Sequence, residues 1–469
     1  MKIKKIAILL LLILFSNSYA QKFEFGKVSN AELEEKLHPI DSSAVAAILF
    51  NKASTFFGYD LKNGFSINTE HTFRVKIYKK EGLKWADYKV PYYVGYENYN
   101  DDRVDFSNCV TYNLENGVVI KTKLKSEGSF NRKVNKYWNE ASITMPNVKV
   151  GSVVEFKYTL KSENIVKFPS FEFQYDIPVN HSQYNTEIPL FFIYKPVLTG
   201  VFPVKSEAKM VTGFLSYANK YDPTRSDSVN FEQINSIYTA ENIPALIEEP
   251  FVDNIQNYRS TIQHELERTQ FYQEPVKDYS KTWEGVAKTI YEDKSFGKEL
   301  KERLYFEQDL KTILKNVNSE LERIEVIFKF VQNKMNWNNE KGYYTDKGVK
   351  KAYIDGTGNT AEINFILISM LANAGINANP VLVSTTENGI PVYPSRTVFN
   401  YVVAAVEVDG KQILLDATNK NTVQNILPLY ALNWTGRLIR PDGSSQEINL
   451  VTDLPSISTI NMKVEIGIN

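Results

Sequence analysis

The chain has 469 residues, with 54 basic and 55 acidic side chains and a net charge of −1. That is too long for one ordinary domain, and no basic cluster could neutralise a row of phosphates, so nucleic acid is not an expected partner. The single cysteine, Cys109, rules out an intrachain disulfide and a cysteine zinc site, and His38, His71, His181 and His264 have no ligand spacing, so neither metal nor cofactor is expected.

An apolar run from Ile6 to Phe15 follows Lys2, Lys4 and Lys5 and precedes Ser18 and Ala20. This is the pattern of a secretory signal peptide, residues 1–20, with cleavage expected after Ala20. Its apolar core of about ten residues is half of the roughly twenty that a membrane span needs. No transmembrane segment is expected in the mature chain, and no cysteine follows the run to carry a lipid anchor. The expectation is a soluble exported protein, periplasmic or extracellular.

Residues 21–270 read as β. Alternating runs such as Thr72–Tyr78 and Val153–Leu160 are separated by turn residues, and Val110–Leu114 and Val118–Thr122 flank an Asn116-Gly117 pair suited to a tight hairpin with positive φ. Many short strands with few helical stretches between them predict an all-β, sandwich-like domain. Within it, Tyr92, Tyr93, Tyr96 and Tyr99 read as strand and turn packing. Asn98, Asn100, Asp102 and Asp105 resemble a calcium loop in composition but lack its glycine and closing glutamate, and read as a solvated turn.

The pattern changes near Pro275. Trp283, Val286, Ala287, Ile290 and Tyr291 recur at helical spacing, and Ser319 to Glu322 forms the start signal of a second helix with the stripe Leu321, Ile324, Phe328, Val331 and Met335. A third helix runs from Thr360 to Ala374, apolar nearly all round and therefore buried, with Gly375 where a left-handed residue ends it. Strands follow at Pro380–Val383, Tyr401–Val408 and Lys411–Asp416. Residues 275–425 thus read as an α+β domain. The β text from Leu427 onward reads as the start of a C-terminal β domain, residues 426–469.

The hairpin fixes one contact. With Asp409-Gly410 as its two-residue turn, Val408 faces Lys411, and Tyr401 and Asp416 become diagonal neighbours on one face, roughly 7 to 8 Å apart. A Tyr401–Asp416 hydrogen bond is expected; a slip of one residue would put the two side chains on opposite faces.

The segment Gly358-Asn359-Thr360-Ala361-Glu362-Ile363-Asn364, with Phe399-Asn400-Tyr401 and Leu415-Asp416-Ala417-Thr418, resembles the core of the transglutaminase-like superfamily, relatives of papain-like thiol enzymes. Upstream, Pro146–Glu155 and Phe173–Val179 resemble the β-rich domain DUF3857 that precedes this core in bacterial exported proteins. The resemblance implies a triad of cysteine at the start of the buried helix, histidine on a strand and aspartate on the next. Here those positions hold Thr360, Tyr401 and Asp416, a degenerate triad. A threonine hydroxyl needs a strong positioned base, and a tyrosine beside a carboxylate stays protonated.

Glu362 is alternatively an acid/base group or a first-turn carboxylate bonding free amides, and Asn364 a buried amide needing partners. A polar network of Thr360, Asn364, Tyr401 and Asp416 is expected. Trp337, Tyr343 and Tyr344 precede the helix and, with Glu362 and Asn364, are the candidate binding residues of a cleft; packing of a loop is the other reading of the three aromatics. The expectation is a non-catalytic cell-envelope protein, a pseudoenzyme binding a peptide, protein or envelope polymer. The alternatives are a hydrolase or acyltransferase acting on amide or ester bonds with a Thr/Tyr/Asp site, and interaction through the β region alone.

Overall fold

The computed structural model describes residues 23–464 apart from 96–99, 136, 219–223, 251, 253, 272–273, 280–281, 392 and 453–456. The signal segment and Tyr96, Asn98 and Tyr99 lie outside the described residues. The chain forms two compact units. The first comprises Met1–Phe192, Pro196–Ile247 and Arg259–His264, and the second Ile193–Lys195, Glu248–Tyr258 and Glu265–Asn469.

The first unit is β-rich. A short helix α1 (Asn30–Glu34) precedes strands β1 (Ala46–Asp60), β2 (Gly64–Ile77), β3 (Asp87–Tyr93), β4 (Arg103–Glu115), β5 (Val118–Lys123), β6 (Ser129–Lys133), β7 (Trp138–Thr144), β8 (Val153–Ser162), β9 (Val179–Pro189), β10 (Lys205–Ala218) and β11 (Ser226–Ile243). Eight of these form one sheet in the order β10-β11-β9-β1-β2-β8-β4-β5, and β3-β7-β6 form a second. The β1–β9 pair is parallel and the neighbouring β1–β2 pair antiparallel. Val90 and Ala141 of the small sheet pack with Val104 of the large one, with Tyr88, Phe106, Tyr158 and Leu160 around them. The predicted turn residues Asn116 and Gly117 have φ of 50° and 78°, as a tight hairpin following the strand twist requires.

In the second unit the helices are α2 (Trp283–Glu292), α3 (Glu307–Ile313), α4 (Glu320–Lys334), α5 (Val349–Asp355) and α6 (Thr360–Asn373). Five strands, β12 (Asn377–Val383), β13 (Tyr401–Val408), β14 (Lys411–Leu415), β15 (Thr435–Ile439) and β16 (Ser445–Asn449), make an antiparallel sheet in the order β14-β13-β12-β15-β16. One face, with Leu382, Val402, Ala404 and Val406, joins the helical core around Ile363, Ile366 and Leu367. The other, with Val381, Val383, Tyr401 and Val403, packs with Leu427, Ala431, Leu438 and Ile448. Burial on both faces explains why β13 is almost uniformly apolar rather than alternating.

Three expectations need correction. The segment after Leu427 begins no separate domain among the described residues: β15 pairs with β12, so residues 435–449 extend the existing sheet and Leu427 fills its core. Leu321 is 55% exposed, because Ile327 rather than Leu321 completes the buried stripe of α4. β14 ends at Leu415, freeing Asp416 from the ladder.

Candidate functional site

Helix α6 opens with a reciprocal cap. Asn359 Oδ1 accepts from Glu362 N and Glu362 Oε2 accepts from Asn359 N, each at 2.9 Å. The other carboxylate oxygen, Oε1, accepts from the amides of Asp346, Lys347 and Gly348 at 3.1, 2.7 and 3.1 Å. Glu362 is 1% exposed. Its oxygens are therefore committed to pinning the 346–348 loop onto the helix start, and it corrects the expectation of a ligand contact.

Thr360 is likewise shut in. Its backbone N and its Oγ1 both donate to the Glu340 carbonyl at 3.2 Å, and Trp337 Nε1 donates to the same oxygen at 3.0 Å. The 337–340 loop thus covers the first side chain of α6, which has no exposure.

The hairpin has the expected register: Val408 faces Lys411, Ala404 faces Leu415, and Asp409 and Gly410 have φ of 50° and 72°. Tyr401 OH donates to Asp416 Oδ2 at 2.9 Å and lies 2.8 Å from Thr418 Oγ1 and 3.2 Å from Tyr430 OH. Asp416 Oδ1 accepts from Asn364 Nδ2 at 3.1 Å, Thr418 N at 3.0 Å and Thr418 Oγ1 at 2.8 Å. Asn364 also donates to Val402 O at 2.9 Å and accepts from Ala417 N at 3.0 Å, so it is a buried structural amide and not a surface contact. The structure brings Asn364, Tyr401 and Asp416 into one network and leaves Thr360 in another, held by Glu340. Among the described residues no cation balances Asp416, and burial holds its carboxyl above the ordinary range although four bonds oppose the shift. Burial and the neighbouring carboxylate push the Tyr401 phenol far up as well.

Above this network lies a cleft of about 400 Å³ lined by Asn336, Trp337, Asn339, Thr418, Asn419, Lys420, Asn421 and Tyr430. Trp337 and Tyr430 are half-buried, 27° from parallel with ring centroids 6.2 Å apart. Of the three predicted aromatics only Trp337 lines it. Tyr343 and Tyr344 pack against the helical core, their rings 4.4 Å apart, with Tyr343 OH donating to the Arg396 carbonyl at 2.5 Å. Tyr430 and the Asn419-Lys420-Asn421 rim were missed. The rim carried a signal in its polar run just after Asp416, whereas nothing local marks Tyr430, which arrives from the far side of the sheet.

Elsewhere, Cys109 is buried in the first unit with its thiol pushed up to about 11 by burial, so it is not a thiolate at neutral pH. Asn100 bonds Glu163, and among the described residues no three His, Cys, Asp or Glu side chains gather as metal ligands. No helix of the described residues is long and apolar enough to cross a membrane.

Residues 65–194 match a family described as a Domain of Unknown Function with solved structure, DUF3857. This region covers β2 to β9 and leaves the cleft outside it. Among curated proteins none matches. The crystal structure of a putative protease from Parabacteroides distasonis superposes with a TM-score of 0.57 at 15% identity, covering 87% of this chain and 72% of that one. The two share a fold, and at that identity the likeness extends no further. A putative cysteine protease from Cytophaga hutchinsonii, at 9% identity over 57% of this chain and 86% of its own, has a TM-score of 0.21, too low to bear on the fold.

Proposed function

We propose that the chain is an exported, non-catalytic protein of the transglutaminase-like type, acting in the cell envelope, whose Trp337–Tyr430 cleft binds a peptide, a protein or an envelope polymer. In this reading residues 21–270 form a DUF3857-like β domain and the residues from 275 onward carry the cleft. The observation that carries the reading is the content of the three triad positions. Thr360 is covered by the Glu340 carbonyl, and the Tyr401 phenol, its pKa raised by burial and by Asp416, is a donor rather than a base. The second unit's sequence holds no cysteine and no histidine. A hydroxyl nucleophile without a base has no route to acyl transfer. The floor of the cleft is consistent with recognition, since the Tyr401, Asp416, Thr418 and Tyr430 groups beneath it already have partners.

An amide or ester hydrolase or acyltransferase with a Thr/Tyr/Asp site is the competing reading, and turnover decides between them. Purified residues 21–469 are incubated with peptides, glutamine amides and peptidoglycan fragments, and products are read by mass spectrometry with Thr360→Ala beside the wild type. The expected outcome is no product from either. Product formed by the wild type and lost in the variant overturns the proposal.

A further inference from the structure

We infer that the ligand of this cleft is a neutral saccharide chain, stacked on Trp337 and Tyr430 and hydrogen-bonded by the asparagine rim, an inference that rests on the binding reading above. The lining contains two aromatic rings, four asparagines, a threonine and a lysine, with no aliphatic side chain and no carboxylate. A peptide site needs apolar pockets for alternate side chains, and a cation site needs carboxylate oxygens; this cleft has neither. A pyranose presents C–H groups on its faces and hydroxyls around its edge. The half-buried rings of Trp337 and Tyr430, stacked 27° from parallel, supply apolar surface for the faces, with the Lys341 ammonium, itself paired with Glu387, 5.2 Å from the Tyr430 ring centre. Carboxamides, each with two donors and an acceptor, supply both halves of the hydrogen bonds that hydroxyls require.

The state of the rim supports this. Asn339 and Asn421 are exposed, and their side chains bond to no other described residue, so both amides are free for a ligand. Lys420 is the only charge of the lining, and its Nζ already donates to Asn336 Oδ1 at 2.9 Å. That bond holds the rim in place, and the ammonium keeps two further donors that sugar hydroxyls can accept. Below, the Thr418 and Tyr430 hydroxyls are tied to Tyr401, which gives the floor a fixed polar surface. A volume of about 400 Å³ falls at the small end of ligand sites, which run from roughly 300 to 1,000 Å³. It suits one or two sugar rings of a longer chain passing over the rim.

The test is calorimetric titration of the full mature protein with neutral tetrasaccharides, of β-1,4-linked glucose, β-1,4-linked N-acetylglucosamine, α-1,4-linked glucose and β-1,4-linked mannose, and with a capped tetra-alanine peptide. Binding of a saccharide is expected. It should weaken about tenfold in Trp337→Ala, the loss of one aromatic anchor, and about threefold in Asn421→Ala and Asn339→Ala. The two asparagine variants remove exposed, unbonded side chains, so they keep the test sound if Trp337→Ala fails to fold. Saccharide binding indifferent to all three substitutions overturns the inference by placing the ligand elsewhere. Peptide binding that depends on Trp337, without saccharide binding, overturns the saccharide while leaving the cleft as a binding site. Binding of neither overturns the inference and counts equally against the proposed function.

Discussion

Each unit buries carboxylates, and Glu155 of the first and Asp416 of the second are satisfied in opposite ways. In the first, Glu155 receives Arg74 Nε at 3.0 Å and an Arg74 terminal nitrogen at 2.6 Å, with Tyr112 OH and Gly26 N on its other oxygen. In the second, Asp416 has only neutral donors, from Asn364, Thr418 and Tyr401, and its carboxyl is pushed up by burial. The imidazoles divide just as sharply, since all four histidines and the one cysteine belong to the first unit. There His71 is buried, its nitrogens 2.6 Å from Asn51 Oδ1 and 2.7 Å from Tyr158 OH, and desolvation lowers it to about 3. His71 and His264 are thus locked into the β core of the first unit, while the sequence of the unit with the open cleft holds neither imidazole nor thiol. Residue type alone says little about chemistry; access and partners decide it.

The contrast predicts its largest effect at Arg74. Arg74→Ala leaves Glu155 buried without its cation and should cost about 3 to 5 kcal/mol, read as lost hydrogen-exchange protection across β2 and β8 with β12 and β13 unchanged. A loss below about 1 kcal/mol would show that water reaches Glu155. In the second unit Asn364→Ala removes the partner of the Val402 carbonyl, the Ala417 amide and one Asp416 oxygen, and should cost about 2 to 3 kcal/mol. If exchange in β13 is unaltered, the network does not support the hairpin.

Acid should separate the units further. His71 and His264 are held neutral by burial, at about 3 and about 4 against an ordinary 6.5. The unfolded chain binds their protons first, so the stability they contribute is whole above pH 6.5 and falls by about 1.4 kcal/mol per pH unit for each histidine below it. Asp416 has the opposite sign. Its raised pKa makes the folded state the better proton acceptor, so its contribution is present below its ordinary 3.8 and is lost as pH rises through the raised value. Exchange measured from pH 7 to 5 should therefore show β1 and β2 loosening while β13 and its turn do not. Unchanged exchange in β1 and β2 over this range would mean that the two histidines are hydrated.

Much of this architecture was legible where the signal is local. The Asp409-Gly410 and Asn116-Gly117 turns, the apolar helix after Gly358 and the Tyr401–Asp416 diagonal all follow from short-range pattern and the two-residue period of a strand. What stayed hidden depends on distant chain. The Glu340 carbonyl that covers Thr360 is a backbone atom with no side-chain signature, and the amide cradle of Glu362 lies 14 to 16 residues upstream of it. Tyr430 and Leu427 looked like the opening of another domain because a strand added at a sheet edge has the same pattern as the first strand of a new sheet.

The smallest expected effect bears most directly on the cleft. Thr360→Cys exchanges one small side chain for another of similar shape and should change stability by less than about 1 kcal/mol. It places a thiol at the start of α6, where the proposed likeness to thiol enzymes would put a nucleophile and where the helix end favours a thiolate. Two things oppose that: the position has no exposure, and its nearest polar neighbour is the Glu340 carbonyl, an acceptor that favours the protonated thiol. No imidazole in this unit can take the proton. Iodoacetamide labelling followed by mass spectrometry should therefore find this thiol alkylated far more slowly than free cysteine at pH 7.5, with unfolding in urea restoring the full rate. Rapid labelling of the folded protein would mean that the 337–340 loop opens readily, and that the inactivity proposed for this site would have to rest on its residues alone and not on its cover.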